Sequence, residues 1–221
     1  MAIAEKTRIG SASPRSKERR SVVPLPRRHD VISTEPQPMR WTIEQYKGLG
    51  DAGVFGDKRV ELIEGAIYEM SPIGVAHWVA VNLVTQELNK VFATGFFVSA
   101  QNAIEFGKKS QPQPDVAVFK GSIRDFKKNI PHKAVLIIEV SDSTLKFDRT
   151  EKMSLYAKNK IAEYWLLNLK ERKLEIYRAP FEDANALHGW SYSDIRVLEA
   201  TESIAPLSAL QSPVNVVDLL P

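Results

Sequence analysis

The sequence contains no cysteine. This absence excludes disulfide bonds, thiolate zinc sites and thiol catalysis, and it fits a reducing cytoplasm. The chain also lacks the run of about 18 apolar residues that a membrane-spanning helix needs. Its N-terminal segment carries charges and prolines in place of the apolar stretch of a secretory signal. We therefore expect a cytoplasmic protein that does not cross a membrane.

Charge is distributed unevenly along the 221 residues, whose formal net charge is +3. Residues 1–40 hold nine Lys or Arg and four Asp or Glu, whereas the remainder holds 21 basic and 23 acidic residues. Because residues 1–38 are rich in Ser, Pro and Arg and lack apolar periodicity, we predict a disordered basic tail there. The tail is either a solvated extension or an arm that binds nucleic acid. Residues 39–221 are long enough for a single domain, with its core within residues 39–180.

One acidic residue stands out because it occupies an apolar segment. Glu139 lies inside the run Ala134-Val135-Leu136-Ile137-Ile138-Glu139-Val140, which is typical of a strand covered on both faces of a sheet. A carboxylate that is isolated in such a place carries a large desolvation cost. A metal ion or a cationic side chain offsets that cost, so the run predicts one of the two beside Glu139.

A second acid and a lysine complete a chemically meaningful set. Asp115 precedes the short apolar run Val116-Ala117-Val118-Phe119 and lies 24 residues before Glu139, a spacing that permits neighbouring strands. Lys152 follows on a predicted helix, where Asp148, Lys152 and Tyr156 share one face. Magnesium prefers a few carboxylates plus water, and a lysine stabilises developing negative charge. Two acids and one lysine therefore indicate a metal-dependent site that cleaves phosphodiesters.

The periodicity of the rest of the chain predicts a mixed α/β (α+β) fold. Thr42 caps a short helix to about residue 49, and residues 59–70 alternate as a hairpin around Gly65. A long helix over residues 71–93 carries an apolar stripe of Trp78, Val81, Val84, Leu88, Val91 and Phe92. Strands are predicted over residues 96–106, 163–168 and 173–178, with a helix over residues 148–159. This order of elements favours a mixed sheet flanked by helices.

Taken in order, these pieces resemble the PD-(D/E)XK nuclease superfamily and, more narrowly, its restriction endonuclease-like family of Uma type. The resemblance covers about residues 39–180. Each segment that carries it is weak alone, whereas the ordered series is specific. The segments are Val60-Glu61-Leu62-Ile63-Glu64-Gly65, His77, Pro114-Asp115-Val116, Ile138-Glu139-Val140-Ser141, Asp148-Arg149 through Lys152 to Tyr156, and Glu163-Tyr164-Trp165.

The resemblance implies a restriction endonuclease-like core of αβββαβ type. It implies that Asp115 and Glu139 are metal ligands, that Glu61 is a further acid of the metal site, and that Lys152 is the catalytic lysine. The sequence departs from the superfamily pattern at Ser141, where the lysine normally stands two residues after the acid. In the narrower family the lysine has moved to the following helix, which makes Lys152 its replacement.

Each site residue also has a simpler interpretation. Asp115 can start a strand or cap a turn, Glu139 can form a structural ion pair, and Glu61 and Lys152 can face water. His77 is either a hydrogen-bonded packing residue or a ligand, and Tyr156 and Trp165 are expected in the core. Seven basic residues near the two acid-bearing strands form either a phosphate-binding rim or ordinary loop charges. They are Lys108, Lys109, Lys120, Arg124, Lys127, Lys128 and Lys133.

From these residues and the resemblance we predict an endonuclease that hydrolyses double-stranded DNA with Mg²⁺, or with Mn²⁺ in its place. A homodimer is expected from the resemblance alone, because nuclease folds often use two copies to cut two strands. The first alternative is a catalytically silent nuclease fold that binds DNA or a protein partner. The second is an interaction protein whose basic tail does the binding.

Overall fold

A six-stranded mixed sheet lies at the centre of the protein, in a computed structural model that describes residues 35–221. Residues 1–34, which hold most of the predicted basic tail, lie outside the described residues. Residues 39–221 form one compact unit. The predicted mixed sheet flanked by helices is confirmed, and within residues 35–221 no helix is long and apolar enough to cross a membrane.

The strands of the central sheet follow one another in chain order, from β3 to β8. All neighbours are antiparallel except β5 and β6, which are parallel. The strands are β3 (Phe96–Ala100), β4 (Val116–Lys120), β5 (Leu136–Ser141), β6 (Glu163–Asn168), β7 (Lys173–Glu182) and β8 (Trp190–Leu198). Every residue of β5 and β6 is buried, as the apolar run around Glu139 predicts for a strand covered on both faces.

A helix and a hairpin precede the central sheet. Helix α1 (Ile43–Asp51) begins at Thr42, whose hydroxyl accepts from the backbone of Gln45 while the Gln45 side chain accepts from the backbone of Thr42. This capping box satisfies two amides that the first helical turn leaves free. Strands β1 (Val60–Ile63) and β2 (Ala66–Glu69) form the predicted hairpin. Its turn contains Gly65 at φ 78°, a conformation that glycine adopts without steric cost.

Helix α2 (Val75–Val91) packs on one face of the sheet through Ala80, Val81, Val84 and Leu88. It begins four residues later than predicted, and the segment before it lies beside the cavity described below. The predicted apolar stripe is wrong at Trp78, whose relative exposure is 59%. A periodic pattern shows which residues share a helix face, but it does not show where the covering sheet ends.

The parallel pair β5 and β6 requires a connection that crosses from one end of the sheet to the other. A continuous helical segment makes this crossing in three parts: α3 (Leu145–Phe147), a π-helical turn (Asp148–Lys152) and α4 (Met153–Lys158). Residues of α4 pack on the sheet face opposite α2, against Ile137, Tyr164 and Leu166. Since side chains alternate along a strand, Glu139 points to the same face as Ile137 and therefore toward this helix.

The predicted strand over residues 96–106 is too long, since β3 ends at Ala100. Gln101 adopts a positive φ of 53°, which ends the extended conformation, and Phe106 then bridges to Ser110 in a tight loop. This loop returns the chain to the start of β4. Beyond β8, β9 (Ser203–Ile204) and β10 (Val214–Asn215) form a second small antiparallel pair, and a short 3₁₀ helix (Val216–Leu219) follows.

Candidate active site

Asp115 and Glu139 meet across the antiparallel pair of β4 and β5. Val116 is paired with Ile138, so the residues one step beyond, Asp115 and Glu139, face each other. Each carboxylate accepts a hydrogen bond from the backbone near the other: Val140 N donates to Asp115 Oδ2 at 2.9 Å, and Asp115 N donates to Glu139 Oε2 at 3.2 Å. The structure therefore brings the two predicted acids together on one face of the sheet, with both residues buried.

Lys152 joins this pair from the helical crossover. Its ammonium lies 3.1 Å from Glu139 Oε1 and 2.6 Å from Glu61 Oε2, and its side chain is only 1% exposed. The contact with Glu61 is a short ion pair between two buried groups. The interpretations that place Lys152 and Glu61 in water are wrong, whereas a buried ion pair at Glu139 is present.

The π-helical turn explains how a helix supplies the lysine. Asp148 and Lys152 are the first and last residues of that turn, and both are buried. A π turn widens the helix by one residue and often marks a functional position. Ser141, which stands where the superfamily places its lysine, lies on β5 and is buried.

Two further side chains hold the carboxylates in place. His77 Nε2 lies 3.0 Å from Asp115 Oδ2, and the hydroxyl of Tyr156 donates to Glu139 Oε1 at 2.5 Å. Burial lowers the pKa of His77, but the hydrogen bond and charge of Asp115 outweigh this effect and raise the pKa above its ordinary value. Tyr156 is buried, as expected, yet it also contacts the site. His77 is hydrogen-bonded, as the packing interpretation requires, but its partner is a predicted metal ligand.

Asp148 is a fourth buried carboxylate beside the same cavity. Its Oδ2 accepts from Thr144 Oγ1 at 2.6 Å. Burial raises the pKa of Asp148 to about 6, although Thr144, Lys152 and the nearby Ser141 hydroxyl act in the opposite direction. Asp148 was predicted on the helix face of Lys152 but not as a site residue. Its spacing of four residues from Lys152 is the signal that could have identified it.

The charges around Lys152 do not balance. Burial raises the pKa of Glu139 to about 8, with Lys152 opposing the rise and the charges of Asp115, Asp148 and Glu61 adding to it. Burial lowers the pKa of Lys152, but Glu139 and Glu61 more than offset this and raise it. The raised pKa of Glu139 favours a neutral carboxyl group, whereas the raised pKa of Lys152 favours a charged pair. The lysine shift has the firmer geometric basis, because two carboxylates contact one ammonium, so the cluster retains excess negative charge.

These residues surround a small cavity of about 60 Å³. Its lining includes acidic, histidine and lysine side chains that the chain brings from five separate segments: Glu61, His77, Asp115, Glu139, Asp148 and Lys152. Asp115 Oδ1 has no hydrogen-bond partner within residues 35–221 and is not fully buried, so it is available to a ligand in the cavity. Oxygen donors of this kind suit Mg²⁺ or Mn²⁺.

The candidate metal site offers two carboxylate ligands, Asp115 and Glu139, and not a complete set of protein ligands around the ion. Across the described residues, no three His, Asp or Glu side chains gather closely enough to hold an ion by themselves. Magnesium usually keeps several waters and uses one or two carboxylates, so Asp115 and Glu139 suffice in number. Glu61 is directed at Lys152 in this arrangement, which makes it a partner of the lysine.

The seven basic residues proposed as a rim do not form one surface. The backbone carbonyls of Lys108 and Lys109 bond to Ile43 and Gly65, near α1 and the β1–β2 hairpin. The other five lie between the end of β4 and the start of β5, because those antiparallel strands place the connecting segment at the end opposite Asp115. This second group is therefore distant from the carboxylates.

Residues 43–215, most of the chain, match a protein family whose description is "Putative restriction endonuclease". The chain belongs to this family, Uma2. The predicted membership is thereby confirmed, and at the level of the family the description is that of a nuclease. None of the curated proteins matches the chain in sequence.

A solved structure shares the Uma2 protein's fold. It is the crystal structure of a protein from Anabaena variabilis described as "a putative nuclease belonging to DUF820". The two chains are 19% identical and superpose with a TM-score of 0.62 over 81% of this chain and 97% of the other. At this identity the likeness shows the fold alone, which supports the predicted restriction endonuclease-like architecture.

Proposed function

We propose that this Uma2 protein is a Mg²⁺-dependent endonuclease that hydrolyses phosphodiester bonds of double-stranded DNA. The observation that carries the proposal is the meeting of Asp115, Glu139 and Lys152 at one cavity. Family membership supports the nuclease class, and the excess of carboxylates supports a divalent cation. Cleavage of both strands by two copies stays a prediction from the family resemblance.

In this proposal Asp115 and Glu139 hold the cation, with Mn²⁺ as a possible substitute for Mg²⁺. The bound ion supplies Lewis acidity toward a phosphate oxygen and lowers the pKa of coordinated water. His77 and Tyr156 position the two carboxylates through their hydrogen bonds. Positioning of this kind keeps metal ligands oriented and is often needed for full affinity.

Lys152 acts as the cationic group of the site. Since Glu61 and Glu139 keep it charged, its ammonium is available to stabilise the negative charge that develops on the phosphate. Glu61 assists by holding the ammonium within the cavity. The same two carboxylates prevent Lys152 from acting as a base, because its pKa lies above its ordinary value.

Cleavage of supercoiled plasmid DNA with Mg²⁺ tests the proposal. Asp115→Asn and Glu139→Gln should each reduce the cleavage rate by at least about a hundredfold, as loss of a metal ligand does. Glu175→Gln is the matched control, because Glu175 is buried in the same row of the sheet as Glu139 and contacts Arg149 and Tyr177 away from the cavity. Equal cleavage by wild type and both site variants would reject the assignment.

A second function is favoured by the hydrogen bonds of Glu139. Both of its oxygens already have protein partners: Lys152 and Tyr156 at Oε1, and the backbone of Asp115 at Oε2. A carboxylate satisfied in this way fits a catalytically silent nuclease fold that binds DNA or a protein. Thermal melting with and without a large excess of Mg²⁺ or Mn²⁺ separates the two cases. A ligand that binds the native state raises the midpoint, and Glu139→Gln should abolish that rise.

A further inference from the structure

A second cavity is lined by Phe119, near the far end of β4 from the carboxylates, and by residues of β3 and the segment 123–131, and its lining suits a nucleic-acid base. We propose that this cavity binds a nucleobase turned out of the duplex substrate, while lysines at its edge bind the flanking phosphates. This inference rests on the proposed nuclease function. The two cavities share no lining residue, so the second is a separate site.

Aromatic rings form the floor of the second cavity, whose volume is about 540 Å³. Phe97 and Phe119 stack with ring centroids 5.0 Å apart, and Phe126 tilts against both at 5.4 and 6.1 Å. Ile123 stands at the edge with 63% of its surface exposed. Apolar side chains left uncovered in a concave site of this size are typical of ligand pockets.

The charge around these rings is positive and unneutralised. The segment of residues 120–133 carries five Lys or Arg and one acid, Asp125. Asp125 caps the short 3₁₀ helix (Ile123–Phe126) through the backbone of Ser122. None of the five cations has an ion-pair partner among residues 35–221, and Lys127 and Lys128 line the cavity itself. A polyanion therefore complements this edge.

Aromatic rings beside free lysines are the combination that binds single-stranded nucleic acid. The rings stack on bases of any sequence, and the lysines follow the backbone. The cavity also offers amide groups to a base edge. Asn129 has no hydrogen-bond partner in residues 35–221, and Asn102 uses its NH₂ group on Ser99 and Ala100, which leaves its carbonyl oxygen free.

The position of the cavity agrees with a strand that also reaches the carboxylates. Phe119 lies four residues after Asp115 on β4, so both side chains point to the same face of the sheet. At a rise of about 3.3 Å per residue, they are separated by roughly 13 Å along the strand. That distance corresponds to about four nucleotides of a B-form strand.

The test measures binding of a single-stranded oligonucleotide in EDTA, where no metal-dependent cleavage occurs. The probes are a fluorescein-labelled 12-nucleotide oligothymidylate and an abasic chain of the same length, followed by fluorescence anisotropy. Phe126→Leu removes a ring while keeping an apolar side chain, and its control is Phe181→Leu, an exposed phenylalanine on β7. Lys127→Ala/Lys128→Ala removes charge and is compared with Lys146→Ala/Lys170→Ala.

Wild type should bind the oligothymidylate about tenfold more tightly than the abasic chain, since one stacked base contributes that much. Phe126→Leu should remove most of this ratio, whereas Phe181→Leu should keep it. The double lysine variant should weaken both probes alike and reduce the salt dependence of log K by about 1.4, which is two phosphate contacts. Because both lysines are exposed, this variant keeps the test valid if Phe126→Leu fails to fold.

The proposal is overturned if Phe126→Leu folds and keeps the wild-type ratio, or if the double lysine variant binds as tightly as its control. It is also overturned if an oligoglutamate of equal charge displaces the oligonucleotide with equal affinity, which indicates a protein partner. Plasmid cleavage on the same preparations separates the two hypotheses. Cleavage without ring-dependent binding contradicts this inference alone, and ring-dependent binding without cleavage contradicts the nuclease function alone.

Discussion

Replacement of Lys152 by methionine tests the charge arrangement of the site most directly. The ammonium is buried between Glu61 and Glu139, at 2.6 and 3.1 Å, and methionine fills a similar volume without the charge. Removing one partner of a buried ion pair costs about 3–5 kcal/mol, because the other charge is left uncompensated. Here two carboxylates lose the same cation, so we expect the upper part of that range in metal-free buffer.

This loss is large compared with the total stability of a domain, which is about 5–15 kcal/mol. For a domain of this length, 1 kcal/mol shifts the melting midpoint by roughly 2–4 °C, so Lys152→Met should melt about 10–20 °C lower than wild type. Lys170→Met, at an exposed turn, should change stability by less than about 0.5 kcal/mol.

The assay is urea unfolding at pH 7.5 in EDTA, followed by the fluorescence of the buried Trp165. A double-mutant cycle with Glu139→Gln measures the coupling between the pair. The double variant should be more stable than the sum of the two single losses predicts, since removal of the acid relieves the charge left by Lys152→Met. A loss below about 1 kcal/mol, or strictly additive losses, would refute the reasoning.

Two further predictions concern the same domain. Burial raises the pKa of Asp148 to about 6 against an ordinary value of 3.8, so its contribution to stability is present below pH 3.8 and is lost as the pH rises through 6. Metal-free protein should therefore lose stability between pH 4 and pH 6, by up to about 1.4 kcal/mol per pH unit, and Asp148→Asn should flatten the profile of urea midpoints in that range. Gly65→Ala should destabilise the hairpin by at least about 1 kcal/mol, because φ is 78° and the new Cβ would lie 2.8 Å from Arg40 Cβ. A Gly53→Ala control, also at positive φ but in open space, should cost less in the same unfolding assay, and equal losses would show that the contact is irrelevant.

Local patterns predicted many of the elements because their causes are local. Thr42 and Gln45 form their capping box within one turn of the chain, and the alternation around Gly65 belongs to two strands that pair with each other. The strand of Glu139 was recognisable because the six residues that surround the acid in the run 134–140 are all apolar, and the structure buries every residue of the strand. The ends of the elements were less predictable. Strand β3 ends at Ala100 because Gln101 adopts a positive φ, and no local sequence pattern predicts that conformation.

The sequence predicted residues of the candidate site better than it predicted the contacts between them. The sequence predicted Asp115, Glu139, Lys152 and Glu61 as site residues, and the structure places all four at one cavity. His77 is 38 residues from Asp115, so no spacing rule connects the two. Tyr156 was assigned to the core on its aromatic character, and only the direction of its hydroxyl shows the bond to Glu139.

The amino-acid sequence by itself determined which chemical groups this protein carries, which family it resembles, and which carboxylate must find a cation, since a buried acid in an apolar strand has few alternatives. The tertiary structure alone decided which groups meet. Pairing of β4 with β5 sets Asp115 opposite Glu139, and the π-helical turn brings Lys152 between Glu139 and Glu61. The tertiary structure also leaves Trp78 exposed, and it places the five basic residues of the segment 120–133 at the end of β4 opposite the carboxylates. These outcomes depend on contacts between residues distant in the chain, and such contacts are set by how the sheet and helices pack.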